Sequence, residues 1–150
     1  MKSTAILGTI AFASITGCAT TPGNGTGGGM SVMPDCDGDG VCKVAVSVSN
    51  CKVGTPVPDP VTVDEGKRNV VIEWDLGSDW WAGYRFVDDK AIIIKNGNDQ
   101  FDTPATSGSG KKVTLHDKNE KKDLIQYAIH VRHIFQGDCA VVDPTIKNQG

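Results

Sequence analysis

Val44, Val46 and Val48 alternate with Ala45, Ser47 and Ser49. A period of two is what a strand with one buried face requires, because successive side chains point to opposite sides. The same rule predicts a strand through Val70, Ile72, Trp74 and Leu76, with Val71, Glu73 and Asp75 on the other face. Shorter strands are expected at Tyr84 and Phe86, from Ala91 to Lys95, and at Val113 and Leu115. The longest pattern runs from Leu124 to Phe135: Ile125, Tyr127, Ile129 and Val131 share one face, and Gln126, Ala128, His130 and Arg132 the other. A last strand is expected from Cys139 to Val142, ended by Asp143-Pro144. Between these lie breaks of turn chemistry: Pro56, Pro58 and Pro60 as an edge or crossing segment, Asn96 to Asp99, residues 103–110, a polar turn from Asp117 to Asp123, and Gly137-Asp138. No apolar repeat of helical period reaches a useful length.

Seven or eight short strands separated by such breaks predict an all-β fold. The expected architecture is a disulfide-stapled antiparallel β-sandwich, immunoglobulin-like or cupredoxin-like, over residues 35–150. A cupredoxin-like layout raises the question of copper, whose blue site needs a histidine and then a methionine soon after a cysteine. Neither follows Cys139, so no copper site is expected.

The N-terminus has a different pattern. One basic residue, Lys2, precedes an apolar run from Ala5 to Ile15, and Ile15-Thr16-Gly17-Cys18 follows. The run is too short to span a bilayer and has the layout of a secretory signal, assigning residues 1–17 to a signal peptide. The four residues ending in Cys18 resemble the lipobox of bacterial lipoproteins. That resemblance implies a diacylglyceryl thioether on Cys18, which becomes the N-terminus and is then N-acylated. With Ala19 next, it also implies the outer membrane, with the folded part in the periplasm. Two or three acyl chains at about 0.8 kcal/mol per buried methylene hold a protein to a membrane for practical purposes. Residues 18–34 are rich in Gly and Thr, including Gly25-Thr26-Gly27-Gly28-Gly29, and read as a flexible tether. No strand precedes those glycines and no helix follows them, so a phosphate-binding loop is excluded.

Composition narrows the partners. A net charge of −3 with interspersed lysines lacks the clustered basic face that nucleic acid requires. Of five cysteines, Cys18 is assigned to lipid, leaving Cys36, Cys42, Cys51 and Cys139 as an even set in an exported chain. Two disulfides are expected. Cys36–Cys42 as a loop staple with Cys51–Cys139 as a long-range bridge is the favoured pairing, and Cys42–Cys139 remains an alternative.

Candidate chemistry is sparse. Asp35, Asp37 and Asp39 alternate before Gly40, as at the start of many calcium loops, where carboxylates converge around a tight turn. An EF-hand would need Glu where Val46 stands, so a calcium site of another kind would borrow Asp138 or Asp59; Asp-Gly repeats are equally plain turn chemistry. His130 and His133 should face opposite sides of their strand, and His116 with His130 falls short of a metal site. No serine sits in a nucleophile elbow, and Glu73 with Asp75 reads as a solvated face. Trp80-Trp81 stand at a strand–loop junction: one is expected to cap the core, and the other to be an exposed anchor for a protein or glycan partner.

The ending Cys139 to Asn148, with Asp143-Pro144-Thr145-Ile146-Lys147-Asn148, is similar to the tail of small β-sandwich lipoproteins of the bacterial envelope, a resemblance that implies no activity. The expectation is a non-enzymatic, membrane-anchored binding or accessory module without an obligatory cofactor. The alternatives are a periplasmic inhibitor of a hydrolytic enzyme, a secretion-machinery lipoprotein and, last, a metal-dependent enzyme.

Overall fold

A computed structural model describes Cys36 and residues 40–150. The expected signal peptide 1–17, lipidated Cys18, tether 18–34 and carboxylates Asp35, Asp37 and Asp39 lie outside the described residues.

Among the described residues there are thirteen short strands and two 3₁₀ turns. In chain order the strands are β1 (Val41–Ala45), β2 (Val48–Ser49), β3 (Lys52–Val53), β4 (Val61–Val63), β5 (Val70–Asp75), β6 (Tyr84–Phe86) and β7 (Ile92–Ile94). They continue with β8 (Ala105–Thr106), β9 (Lys112–Asp117), β10 (Lys122–Ile129), β11 (Val131–His133), β12 (Gly137–Asp138) and β13 (Thr145–Gln149). One sheet has the order β1-β5-β9-β8 and the other β4-β13-β10-β7. After His130 the chain continues from β10 into β11, which pairs with β6 and β12 in a separate three-stranded sheet, and β2 pairs with β3 in a hairpin.

The alternation read from the sequence sets the faces. Val70, Ile72 and Trp74 on β5 and Val113 and Leu115 on β9 are buried. They form one core cluster with Ile125, Tyr127, Ile129 and Ile146 of the second sheet. At its centre Trp74 Nε1 donates to the Tyr127 hydroxyl at 3.1 Å, with the rings edge-on at 5.4 Å. Each large apolar side chain so buried contributes about 1.5–3 kcal/mol. The hydrogen bond satisfies two polar groups that would otherwise be stranded in the core.

The all-β sandwich is as expected, but it is not purely antiparallel. β1 pairs parallel with β5, and β4 parallel with β13. The cause is the proline segment: Val57 exchanges backbone hydrogen bonds with Ala45, and the chain then crosses to the other sheet as β4. A chain that has crossed over can return beside β1 from either end, whereas a tight hairpin could not. A second correction concerns the end of the chain. Cys139 to Val142 makes only isolated bridges, at Ala140 and Val142, and the closing strand is β13, beyond Pro144. Pro144 lacks a donor, but its carbonyl accepts from Tyr127 N at 3.2 Å, so it leads the chain into the ladder. The expected polar turn is shorter too, since Asp117 ends β9 with its side chain fully buried.

The disulfides are Cys36–Cys42 and Cys51–Cys139. The first closes against the start of β1; the second joins the β2–β3 hairpin to the segment after β12.

Candidate functional site

β5 leaves the sheet at Asp75 into a loop of successive turns, Leu76 to Gly83, which returns as β6. The Asp79 carboxylate anchors this loop by accepting from Val48 N at 2.8 Å. Trp80 is half-buried against the core, and its Nε1 donates to Ser109 O at 3.0 Å. Trp81 turns the other way and is 80% exposed, its ring edge-on to Trp80 at 4.4 Å. One tryptophan thus seals the sandwich while its neighbour stands in solvent.

β11 ends beside this loop. Ile134 is 55% and Phe135 86% exposed. Phe135 and Trp81 are the two most exposed large apolar residues among those described, and they stand on adjoining loops. His133 ties the loops together. Its Nε2 lies 3.0 Å from Ala82 O, and its Nδ1 accepts from Phe135 N at 3.2 Å. The neutral tautomer with its proton on Nε2 satisfies both bonds. Ile134 N also donates to Gly83 O at 3.1 Å. Tyr84 packs edge-on to His133 and accepts from Cys51 N at 3.3 Å, so the long-range disulfide supports the same tip.

At the opposite end of the sandwich lies a buried polar knot of Gln100, Asp117, Asn119 and Asn148. Asp117 Oδ1 accepts from Asn119 N at 2.9 Å and Asn148 Nδ2 at 3.0 Å. Asn119 Nδ2 holds Asp64 O and Lys67 O, at 2.9 and 2.7 Å. Burial pushes the Asp117 carboxyl above its ordinary value, against the two hydrogen bonds that favour its charged form. With no exposed surface, Asp117 has no route to a substrate in solution.

Other residues singled out in the sequence have plain partners. Glu73 and Asp75 share Lys112, at 2.7 and 3.3 Å. Asp59 accepts from Thr145 N at 3.0 Å, and Asp138 faces Arg132 at 3.5 Å. Among the described residues no three His, Cys, Asp or Glu side chains gather as a metal group. A surface cavity of about 630 Å³ beside Phe101 and Pro104 carries Asp102 as its charged residue and no activated nucleophile.

The tip is therefore the best-built candidate for binding. Trp80 and Trp81 are visible in the sequence, whereas alternation alone places Ile134 and Phe135 at the end of a strand. The signal for them is a break in alternation: two successive apolar residues after His133, directly before Gln136-Gly137. No protein-family model matches the chain, and no characterised protein is similar to it in sequence.

Proposed function

We propose that this protein is a non-enzymatic, lipid-anchored module of the bacterial cell envelope that holds an envelope protein or glycan through its aromatic tip. The observation that carries the reading is the exposure of Trp81 on one loop and of Ile134 and Phe135 on another, the two loops being locked together by His133. Large aromatic side chains held rigidly in solvent are the residue types that dominate interface energetics. The lipobox at Cys18 supplies the anchor. Two disulfides suit an oxidising compartment.

Topology separates the tip from the start of the fold. β1 runs parallel to β5, so the chain enters the sandwich at the end opposite to the loop that follows β5. Strands of this length span about 17–20 Å, and the tip stands at least that far from the entry point. The tip is thus at the far end of the fold from the point where the described chain enters it.

The test is affinity capture of the acylated protein from its native envelope, alongside a Trp81→Ala/Phe135→Ala variant. One specific partner should be lost from the variant, with affinity weakened at least thirty-fold if the pair forms a hot spot of about 2 kcal/mol or more. An identical set of partners for both proteins overturns the tip as the binding surface. Mass spectrometry finding an unmodified Cys18 overturns the anchor.

A further inference from the structure

Beside the tip, β6 and β11 bring Arg85 and Arg132 directly opposite one another in the antiparallel register. Their neighbours Phe86 and Val131 point into the core, so both arginines project from the outer face. Like charges at directly opposed positions repel, and an anion held between them would relieve that repulsion. Both arginines line a surface cleft of about 390 Å³, whose far wall is the Ser107-Gly108-Ser109-Gly110 turn.

The cleft is held in shape. The Arg85 stem lies where a side chain at Gly110 would be, a Cβ there meeting its Cδ at 3.0 Å. The Arg85 guanidinium stacks over Trp80 at 4.7 Å and donates from one nitrogen to Trp80 O and Tyr84 O. An arginine has five donors, and Arg85 pairs with no carboxylate among the described residues. Arg132 reaches Asp138 Oδ1 from Nε and Nη2, each at 3.5 Å, with both side chains more than half exposed, a long pairing that a better acceptor could replace. The turn is pinned by Gly110 N donating to Ser107 O and Ser107 N to Lys112 O. That leaves the Gly108 and Ser109 N–H groups outside its internal bonding. The one acid in the cleft wall is Asp88, against two arginines.

We propose that this cleft binds an oxyanion: the phosphate or carboxylate group of an acidic ligand, held by Arg85 and Arg132 with help from the Ser107–Gly110 turn. Planar guanidinium groups suit either anion because paired N–H donors match two oxygens. The site stands apart from the partner-binding role of Trp81 and Phe135, and its failure would leave that role untouched.

The experiment titrates the full acylated chain in neutral detergent micelles with inorganic phosphate, glucuronate and glucose. Tryptophan fluorescence and backbone amide NMR shifts are followed at constant ionic strength. Saturable changes are expected at the Trp80 indole, at Arg85 and Arg132, and across residues 107–110, with phosphate or glucuronate and not with glucose. Whichever anion binds more tightly identifies the group. Arg132→Gln, at an exposed site that does not threaten folding, should weaken binding about ten-fold or more, as expected for loss of a charge-assisted hydrogen bond. Arg85→Lys, which keeps the charge but not the fork, should weaken it less than Arg85→Gln. No saturable change with either anion, equal changes with chloride, or unchanged affinity in Arg132→Gln would each overturn the proposal.

Discussion

Asp117 carries the one fully buried charged side chain among the described residues, and its environment is mixed. Oδ1 has two donors, while Oδ2, Gln100 Nε2 and Asn148 Oδ1 have no protein partner. Burying an ionised oxygen without a donor is costly, and this is why the carboxyl holds its proton above the ordinary value of 3.8. The direction of the pH effect follows. Well below 3.8 the group is protonated folded and unfolded alike. As pH rises, the unfolded chain releases the proton first, so the stability associated with the protonated carboxyl is lost as pH climbs through the raised native value. Asp117→Asn keeps an oxygen for Asn119 N and Asn148 Nδ2 and has nothing to titrate. It should match the parent protein in urea midpoint at pH well below 3.8 and exceed it near neutrality. A variant less stable than the parent at neutral pH would mean that the charged form is what the knot is built to hold. At this scale the sequence carried a usable hint: Asp117 falls in phase with Val113 and Leu115, so its side chain had to point inward. Its partner Asn148 had no such flag, being a polar residue in a tail beyond a proline.

At the scale of elements, the tip depends on two loops fitting closely, and Gly83 is where they meet. Its φ of +96° is strained for any residue with a side chain, and an added Cβ would lie 3.1 Å from Ile134 Cγ1 and 3.2 Å from His133 Nε2. Gly83→Ala should cost about 1–3 kcal/mol of stability from the backbone alone. More tellingly, it should push His133 off Ala82 and loosen the Phe135 loop. Amide exchange at Ile134, whose N–H donates to Gly83, should accelerate while exchange at Ile72 and Trp74 in β5 stays slow. Equal acceleration at both places would show a general loss of stability rather than a hinge between the loops. Strand elements were legible wherever alternation ran for several residues, as in β5 and β10. The two-residue strands β2, β3, β8 and β12 were not, because two residues carry no period and pair only when a neighbouring strand offers its edge.

For the molecule as a whole, Cys51–Cys139 closes a loop of 88 residues and links the β2–β3 hairpin to the chain leaving β12. In the chain-entropy model a bridge over so long a loop stabilises by about 4–5 kcal/mol, and one over six residues by about 2 kcal/mol. Replacing Cys51 and Cys139 together by Ala should therefore lower the unfolding free energy roughly twice as much as replacing Cys36 and Cys42. The measurement is equilibrium urea unfolding of both variants without reductant. The long-range variant should also show the larger change at Tyr84, whose hydroxyl accepts from Cys51 N. Near-equal losses would mean that the bridge acts on native geometry more than on the unfolded chain. The sequence by itself determined that the chain is all-β, which residues face the core, and that four cysteines are available for two bridges. Those are properties of local period and of count, and each can be read within a few positions. Only the tertiary structure decided that two edge pairs run parallel, that the Phe135 loop is tied to the Trp81 loop, and that Arg85 opposes Arg132. Such meetings depend on where the proline segment crosses between sheets and on the register of strands far apart in the chain, which local alternation does not encode.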